Sequence, residues 1–150
     1  MKDKKWGEFT ISLNKSYLDR ELIYQFLHNE AYWSINIPRD VVMKSIDESR
    51  LVFGLYRGRF DGDFEQVGFA RAVTDLSTFA YLCDVFILPQ YRGKGLSKWL
   101  VETIIWHPDL HDIRKFMLAT KDAHSLYERF GFETVESPDL LLQRVRKVPY

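Results

Sequence analysis

The segment Cys83–Leu100 reads CDVFILPQYRGKGLSKWL. An apolar run enters Pro89, a basic turn with Arg92, Gly93, Lys94 and Gly95 follows, and an amphipathic stretch starts at Leu96. Leu96, Trp99, Leu100, Thr103 and Ile104 recur at helical spacing, and Pro108 stops the pattern near His107. The stretch is therefore predicted as strand, turn, helix. Amides at a helix start have no intrahelical acceptor, and the helix dipole places partial positive charge there. Arg92 and Lys94 add charge. Gly93 and Gly95 lack a Cβ, so the backbone can take unusual dihedrals and lie close to a ligand. Two readings follow: an anion site, or a basic turn that holds no ligand.

Two nucleotide motifs do not fit. The phosphate loop needs Gly and Gly-Lys-Ser/Thr at a spacing absent here, and the dinucleotide fingerprint needs a third glycine where Lys98 stands. What Gln90–Gly95 (QYRGKG) does resemble is the acyl-CoA signature of the GNAT superfamily of N-acetyltransferases. That signature is Gln or Arg, two residues, Gly, one residue, then Gly or Ala, directly after a strand and opening a helix. The resemblance implies that Gln90, Tyr91, Arg92, Gly93, Lys94, Gly95, Leu96 and Ser97 hold the pyrophosphate of coenzyme A. It also implies that backbone N–H groups near Phe86 and Ile87 polarise the thioester carbonyl.

A second signature lies about 30 residues on. Thr120–Phe132 reads TKDAHSLYERFGF, similar to the family pattern Asn-x-x-Ala-x-x-Leu-Tyr-Glu-Lys/Arg-x-Gly-Phe. Ala123, Leu126, Tyr127, Glu128, Arg129, Gly131 and Phe132 match it. Thr120 departs from it, standing where the family usually has an Asn that bonds the pantetheine arm; Thr120 keeps one shorter-reaching bond. By the same resemblance Tyr127 is the general acid that protonates the departing thiolate, with a phenol pKa near that of a thiol. The competing reading makes Tyr127 a core residue on a helix face. His124 either relays protons or sits on the exposed face.

Asp84 is the only Asp, Glu, Lys, Arg or His between Asp75 and Arg92. In a regular strand it shares a side with Ala80, Leu82, Phe86 and Leu88. A carboxylate on a buried face is costly unless paired, hydrogen-bonded or functional. Desolvation raises such a pKa, which suits a base near neutral pH. The alternative is a salt bridge, with Arg71 on the neighbouring strand as the candidate partner. Some GNAT enzymes carry an acidic residue near this point, as base or amine ligand.

The remaining elements follow in order. Trp6–Leu13 alternates weakly and predicts a strand. Ser16 with Asp19 fits a capping box before a helix running to about Asn29. The aromatic stretch 31–38 carries Tyr32 and Trp33, read either as core packing or as an acceptor-pocket wall, the latter being what GNAT proteins place in this region. Pro38 opens a second helix to Ser49. Leu51–Tyr56 and Glu65–Thr74 predict a hairpin around Asp61-Gly62. Thr78–Leu88 predicts a central strand covered on both faces. Beyond the basic turn and its helix, Lys115–Thr120 predicts a strand. Asp122 predicts an N-cap and Gly131 a helix end. Glu133–Val135 and Leu140–Val145 predict closing strands around Pro138.

Length and composition bound the rest. The 150 residues predict one domain, 1–150, with a sizeable core. Lys plus Arg equals Asp plus Glu at 21 each, which argues against a general nucleic-acid surface. Cys83 is the single cysteine and cannot form an internal disulfide; within a strand, with no paired histidine, it reads as structural rather than nucleophilic. His107 and His111 lie four apart, but Pro108 breaks the helix that would align them on a metal. No leader-like apolar stretch and no run of about 18 apolar residues is present. The expectation is a soluble, cytoplasmic α/β domain without nucleic-acid, membrane or metal partners, with a homodimer left open. Its sheet is mixed and mostly antiparallel, with helices on both faces. It would move an acetyl group from acetyl-CoA to a primary amine, with Asp84 as base, Tyr127 as acid and Tyr32 and Trp33 against the acceptor. A non-catalytic acyl-CoA-binding or sensing module is the rival, and a peptide acceptor a third possibility.

Overall fold

The computed structural model describes residues 1–148 and 150. Strands β1 (Lys4–Trp6) and β2 (Phe9–Ser12) precede helices α1 (Arg20–Asn29) and α2 (Arg39–Glu48). Strands β3 (Leu51–Gly58), β4 (Phe64–Thr74) and β5 (Phe79–Ile87) follow, then helix α3 (Leu96–Ile105), strand β6 (Lys115–Leu118) and helix α4 (His124–Glu128). The six strands form one sheet in chain order. Neighbours are antiparallel up to β5, and β6 runs parallel to β5 because α3 carries the chain back across the sheet.

Both faces are covered, as the near-continuous apolar runs of β3 and β5 require. On one face Ile23, Phe26 and Leu27 of α1 and Val42 and Ile46 of α2 pack on Val52, Phe69 and Phe86. On the other, Leu96, Leu100, Val101 and Ile104 of α3 and Tyr127 of α4 pack on Phe53, Leu55, Ala70, Ala72, Ala80 and Leu82. Each large side chain so buried contributes about 1.5–3 kcal/mol.

Several local expectations are corrected. Trp6–Leu13 is not one strand: Gly7, at φ +60°, turns the chain into the β1–β2 hairpin. Ser16 lies in a 3-10 turn, Lys15–Tyr17, capped by Asn14, and Asp19 itself caps α1 by accepting from the Leu22 N–H at 3.0 Å. Asp122 does not cap α4. The cap position is Ala123, whose own N–H donates to Thr120 Oγ1 at 3.1 Å. The closing strands predicted at 133–135 and 140–145 are not formed. Pro138–Leu140 is a 3-10 turn, and among the described residues the sheet ends at β6.

The alternation predicted for β5 is also corrected. Arg71 pairs with Cys83, but Phe69 pairs with Phe86, so β5 carries an extra residue opposite Ala70. Asp84 takes up this bulge at φ +55°, a strained conformation for a residue with a side chain. Beyond it the side chains exchange faces. Ala80 and Leu82 belong to the α3 side, whereas Phe86 lies on the α1–α2 side, stacked on Phe26 at 4.0 Å.

Candidate active site

The site is built around the C-terminal half of β5. Pairing with β6 joins Phe79–Leu82 to Lys115–Leu118 and stops there, while β5 runs on to Ile87. The two parallel strands therefore part, leaving the far edge of β5 open. Successive strand residues present their polar groups to alternate edges. Leu88 donates to Val67 O on the β4 side at 2.8 Å, so Ile87 faces the open side. Arg92 Nε donates to Ile87 O at 3.0 Å, and the Ile87 N–H shares that edge.

The basic turn follows directly. Pro89–Tyr91 forms a 3-10 turn, then Gly93 and Gly95 both adopt left-handed dihedrals, at φ +77° and +81°. Gly95 occupies the N-cap of α3, where no side chain supplies a capping bond and no acidic residue stands in the first turn. The amides at the start of α3 therefore have neither of the usual internal partners. They open into a depression of about 200 Å³ lined by Ile87, Tyr91, Arg92, Gly93, Gly95, Leu96, Ser97 and Lys98, with Leu126 of α4 opposite. Arg92, Gly93, Lys94 and Gly95 are exposed, as is Gln90, which does not line the depression. Tyr91 turns its hydroxyl away to Glu65 and its ring toward Phe9.

Asp84 is paired, as one of the two sequence readings allowed. Its Oδ2 accepts from Arg71 Nε at 2.6 Å and its Oδ1 from Trp33 Nε1 at 3.0 Å. Arg71 Nη1 reaches Ser49 Oγ at 3.2 Å, at the end of α2. Burial opposes the Arg71 charge, but the Asp84 carboxylate more than offsets this and raises its pKa. The network faces the α1–α2 side, because the bulge rotates Asp84 off the face of Ala80 and Leu82. Neighbouring Cys83 has its thiol pushed up to about 11 by burial, which leaves it unreactive.

Tyr32 and Trp33 are not core residues; they are 49% and 43% exposed. The rings meet edge to face at 5.1 Å. Tyr32 Oη accepts from the Lys121 N–H at 2.8 Å, and Lys121 Nζ stands 5.7 Å from its ring centroid. The α1–α2 loop thus reaches the β6–α4 loop across the parted strands. Sequence reading did not foresee this bridge, or the Trp33–Asp84 bond, because their partners stand 89 and 51 residues apart.

Tyr127 is buried on α4, edge-on to Phe132 at 5.8 Å. Burial, with the nearby Tyr32 and Asp122, pushes its phenol up to about 12. It stays protonated across the physiological range, but its pKa does not match that of a free thiol, about 8.5. The Thr120 hydroxyl already accepts from Ala123 N–H, so only its donor capacity and a second lone pair remain. His124 is exposed. Gly131, at φ +85°, lets the Phe132 N–H return to Tyr127 O and closes the helix. Among the described residues no helix is long and apolar enough to cross a membrane, and no group of three His, Cys, Asp or Glu is placed to hold a metal.

Comparison with known proteins assigns this arrangement. The family model described as an acetyltransferase (GNAT) domain matches residues 53–134. FG08082 of Gibberella zeae, assigned as an acetyltransferase, is 32% identical over 146 residues, covering 84% of this chain and 80% of its own length. The uncharacterized N-acetyltransferase ycf52 of Pyropia yezoensis is 31% identical over 136 residues, covering 90% of this chain and 75% of its own. A crystal structure from Xanthomonas campestris pv. campestris, of a protein described as belonging to the GNAT family, superposes with a TM-score of 0.85 at 43% identity. It spans 95% of this chain and 96% of its own. The chain belongs to the GNAT family of acetyl-CoA-dependent N-acetyltransferases.

Proposed function

We propose that the enzyme transfers the acetyl group directly to a primary amine, with a small molecule as acceptor. The observation that carries this reading is the end of β5–β6 pairing at Leu82, which opens the Ile87 edge between the basic turn and α4. The family uses acetyl-CoA as co-substrate, and the residues present fit it. An uncapped helix start with Arg92 and Lys94 beside it suits a pyrophosphate, and the parted strands leave a path for an extended arm.

In this reading Gln90–Ser97 hold the anionic end, with backbone amides as the main donors and Arg92 fixed to the strand by its Ile87 bond. Phe86 is buried and shapes the strand, and the Ile87 N–H polarises the thioester carbonyl. Asp84, directly or through a water, takes a proton from the acceptor ammonium. The freed nitrogen pair forms the C–N bond, the C–S bond breaks, the sulfur leaves with its pair, and the nitrogen releases its second proton to water. Tyr127 then gives that sulfur a proton. Trp33 orients the carboxylate, and Tyr32 and Trp33 form the acceptor wall, whose exposed aromatic faces favour a small apolar or aromatic amine. Thr120 gives the arm one bond.

The test is a thermal-stability series with acetyl-CoA, CoA and ATP, followed by an amine panel read by thiol release. Both CoA compounds should raise Tm and ATP should not, since only ligands bound by the native state stabilise it. Thiol release should depend on a primary amine. Release that is equal for every amine, or confined to peptides, would overturn the acceptor assignment.

A further inference from the structure

The β1–β2 hairpin meets the basic turn at two points. Phe9 stands edge to face with Tyr91 at 6.3 Å. Trp6 stands edge to face with Trp99 of α3 at 5.6 Å. The rim of its six-membered ring abuts the N-cap of α3, where a Cβ on Gly95 would lie 3.3 Å from Trp6 Cη2. Trp6 nevertheless remains 48% exposed. Contact with Trp99 and Gly95 orients the indole without covering it. A flat apolar face therefore stands open beside the amides that begin α3.

Positive charge surrounds this face. Cross-strand partners share a face of the sheet, and Lys4 pairs with Ile11 as Trp6 pairs with Phe9. Ile11 belongs to the core under α3 and Phe9 packs against it, so Lys4 and Trp6 both stand on the α3 side. Lys94 is exposed in the turn, and Lys98 lines the depression at the helix start. Trp6 lies outside both sequence signatures and outside residues 53–134, the span that the family model matches.

We propose that Trp6 is the stacking platform for the adenine of acetyl-CoA, with Lys4, Lys94 and Lys98 as countercharges for its 3′-phosphate. This rests on the acetyl-CoA reading above and extends it to a residue of the N-terminal hairpin. Coenzyme A ends in a purine and a phosphorylated ribose, the ribose joining the purine to the pyrophosphate. A pyrophosphate held at the start of α3 brings that flat ring and that anion to the surroundings of Gly95, where the open indole and the three lysines stand. A base stacks on tryptophan through its π-face, and loss of one such platform weakens binding about tenfold or more. In the same reading the pantetheine arm runs the other way, along the open edge of β5, and makes no use of Trp6.

The test is calorimetric binding of two thioesters to the unaltered chain, Trp6→Ala and Trp6→Phe. One is acetyl-CoA; the other is S-acetyl-4′-phosphopantetheine, the same molecule cut short after its first phosphate. Trp6→Ala should weaken acetyl-CoA about tenfold or more and the truncated thioester less than about twofold, and Trp6→Phe should restore most of the loss. An equal loss for both thioesters makes Trp6 a packing residue of the turn and overturns the proposal, as does no loss for either. If the unaltered chain binds neither thioester, the acetyl-CoA reading itself falls, and the platform with it. Should Trp6→Ala fail to fold, or the truncated thioester bind too weakly to compare, protein fluorescence decides. The quench that acetyl-CoA produces in the unaltered chain should be largely lost in Trp6→Phe, which lacks the stacked indole. Equal quenching in the two means that no base reaches Trp6, and overturns the proposal.

Discussion

The two halves of β5 differ in what they do with the same covalent strand. Phe79–Leu82 lies between β4 and β6, keeps a regular register, and buries Ala80 and Leu82 under α3. Cys83–Ile87 has a partner on one side only, is bulged at Asp84, and carries the ion pair and the open Ile87 edge. The first half is saturated with partners and contributes stability. The second retains unpaired polar groups and a strained residue, features that persist where surrounding structure holds them and that cluster at functional sites.

The sharpest way to break this contrast is Tyr127→Phe, which removes only the phenolic hydroxyl proposed as the proton donor. Turnover should fall about 10²–10⁴-fold with acetyl-CoA binding nearly intact. Unchanged turnover would remove Tyr127 from the acid role. Next in size is Arg71→Ala, which leaves the part-buried Asp84 carboxylate without its countercharge and with only the Trp33 indole as donor. A loss of about 3–5 kcal/mol in urea unfolding is expected. A loss below about 1 kcal/mol would mean that the pair behaves as a solvated one. Leu82→Ala tests the closed half. It should cost about 2–5 kcal/mol of stability with turnover per folded molecule unchanged, and a catalytic defect would erase the distinction between the halves.

Trp33→Phe has a smaller expected effect. It removes the indole donor to Asp84 and should raise KM for the amine several-fold while leaving the Tm shift with CoA in place. The smallest effect is on pH. An acid acts while protonated, so a Tyr127 pKa near 12 keeps the donor competent below that value and loses it only above. No descending limb from this group should appear in kcat below about pH 10, and a limb near pH 8 would assign the acid to another residue.

The regions differ equally in how far they can be read from sequence. The basic turn is legible because its cause is local. Two glycines, two cations and an apolar heptad lie within a dozen consecutive residues, and the positive φ values fall on Gly93 and Gly95. The α4 signature is legible for the same reason, although Asp122 failed as its cap: the helix starts one residue later than expected, at His124, with Ala123 at the cap position. Asp84 stood out as an anomalous charge, and Arg71 was identified as its candidate partner one strand away. Its bulge was not legible, since no glycine or proline marks it. A single inserted residue then reversed the faces assigned to Phe86 and Leu88. Trp33, half-exposed in a loop, gave no signal of its bond to β5.

From sequence alone come the family, the covered sheet and the basic turn, because those depend on periodicity and on residues adjacent in the chain. Tertiary structure alone decides that Asp84 is held by Arg71 and Trp33, that Tyr32 crosses to Lys121, and that the 141–148 segment does not close the sheet of its own chain. These are contacts between distant segments, set by strand register, by one bulge and by the direction of one turn. No local pattern of residues encodes them, because their free energy exists only once both partners are in place.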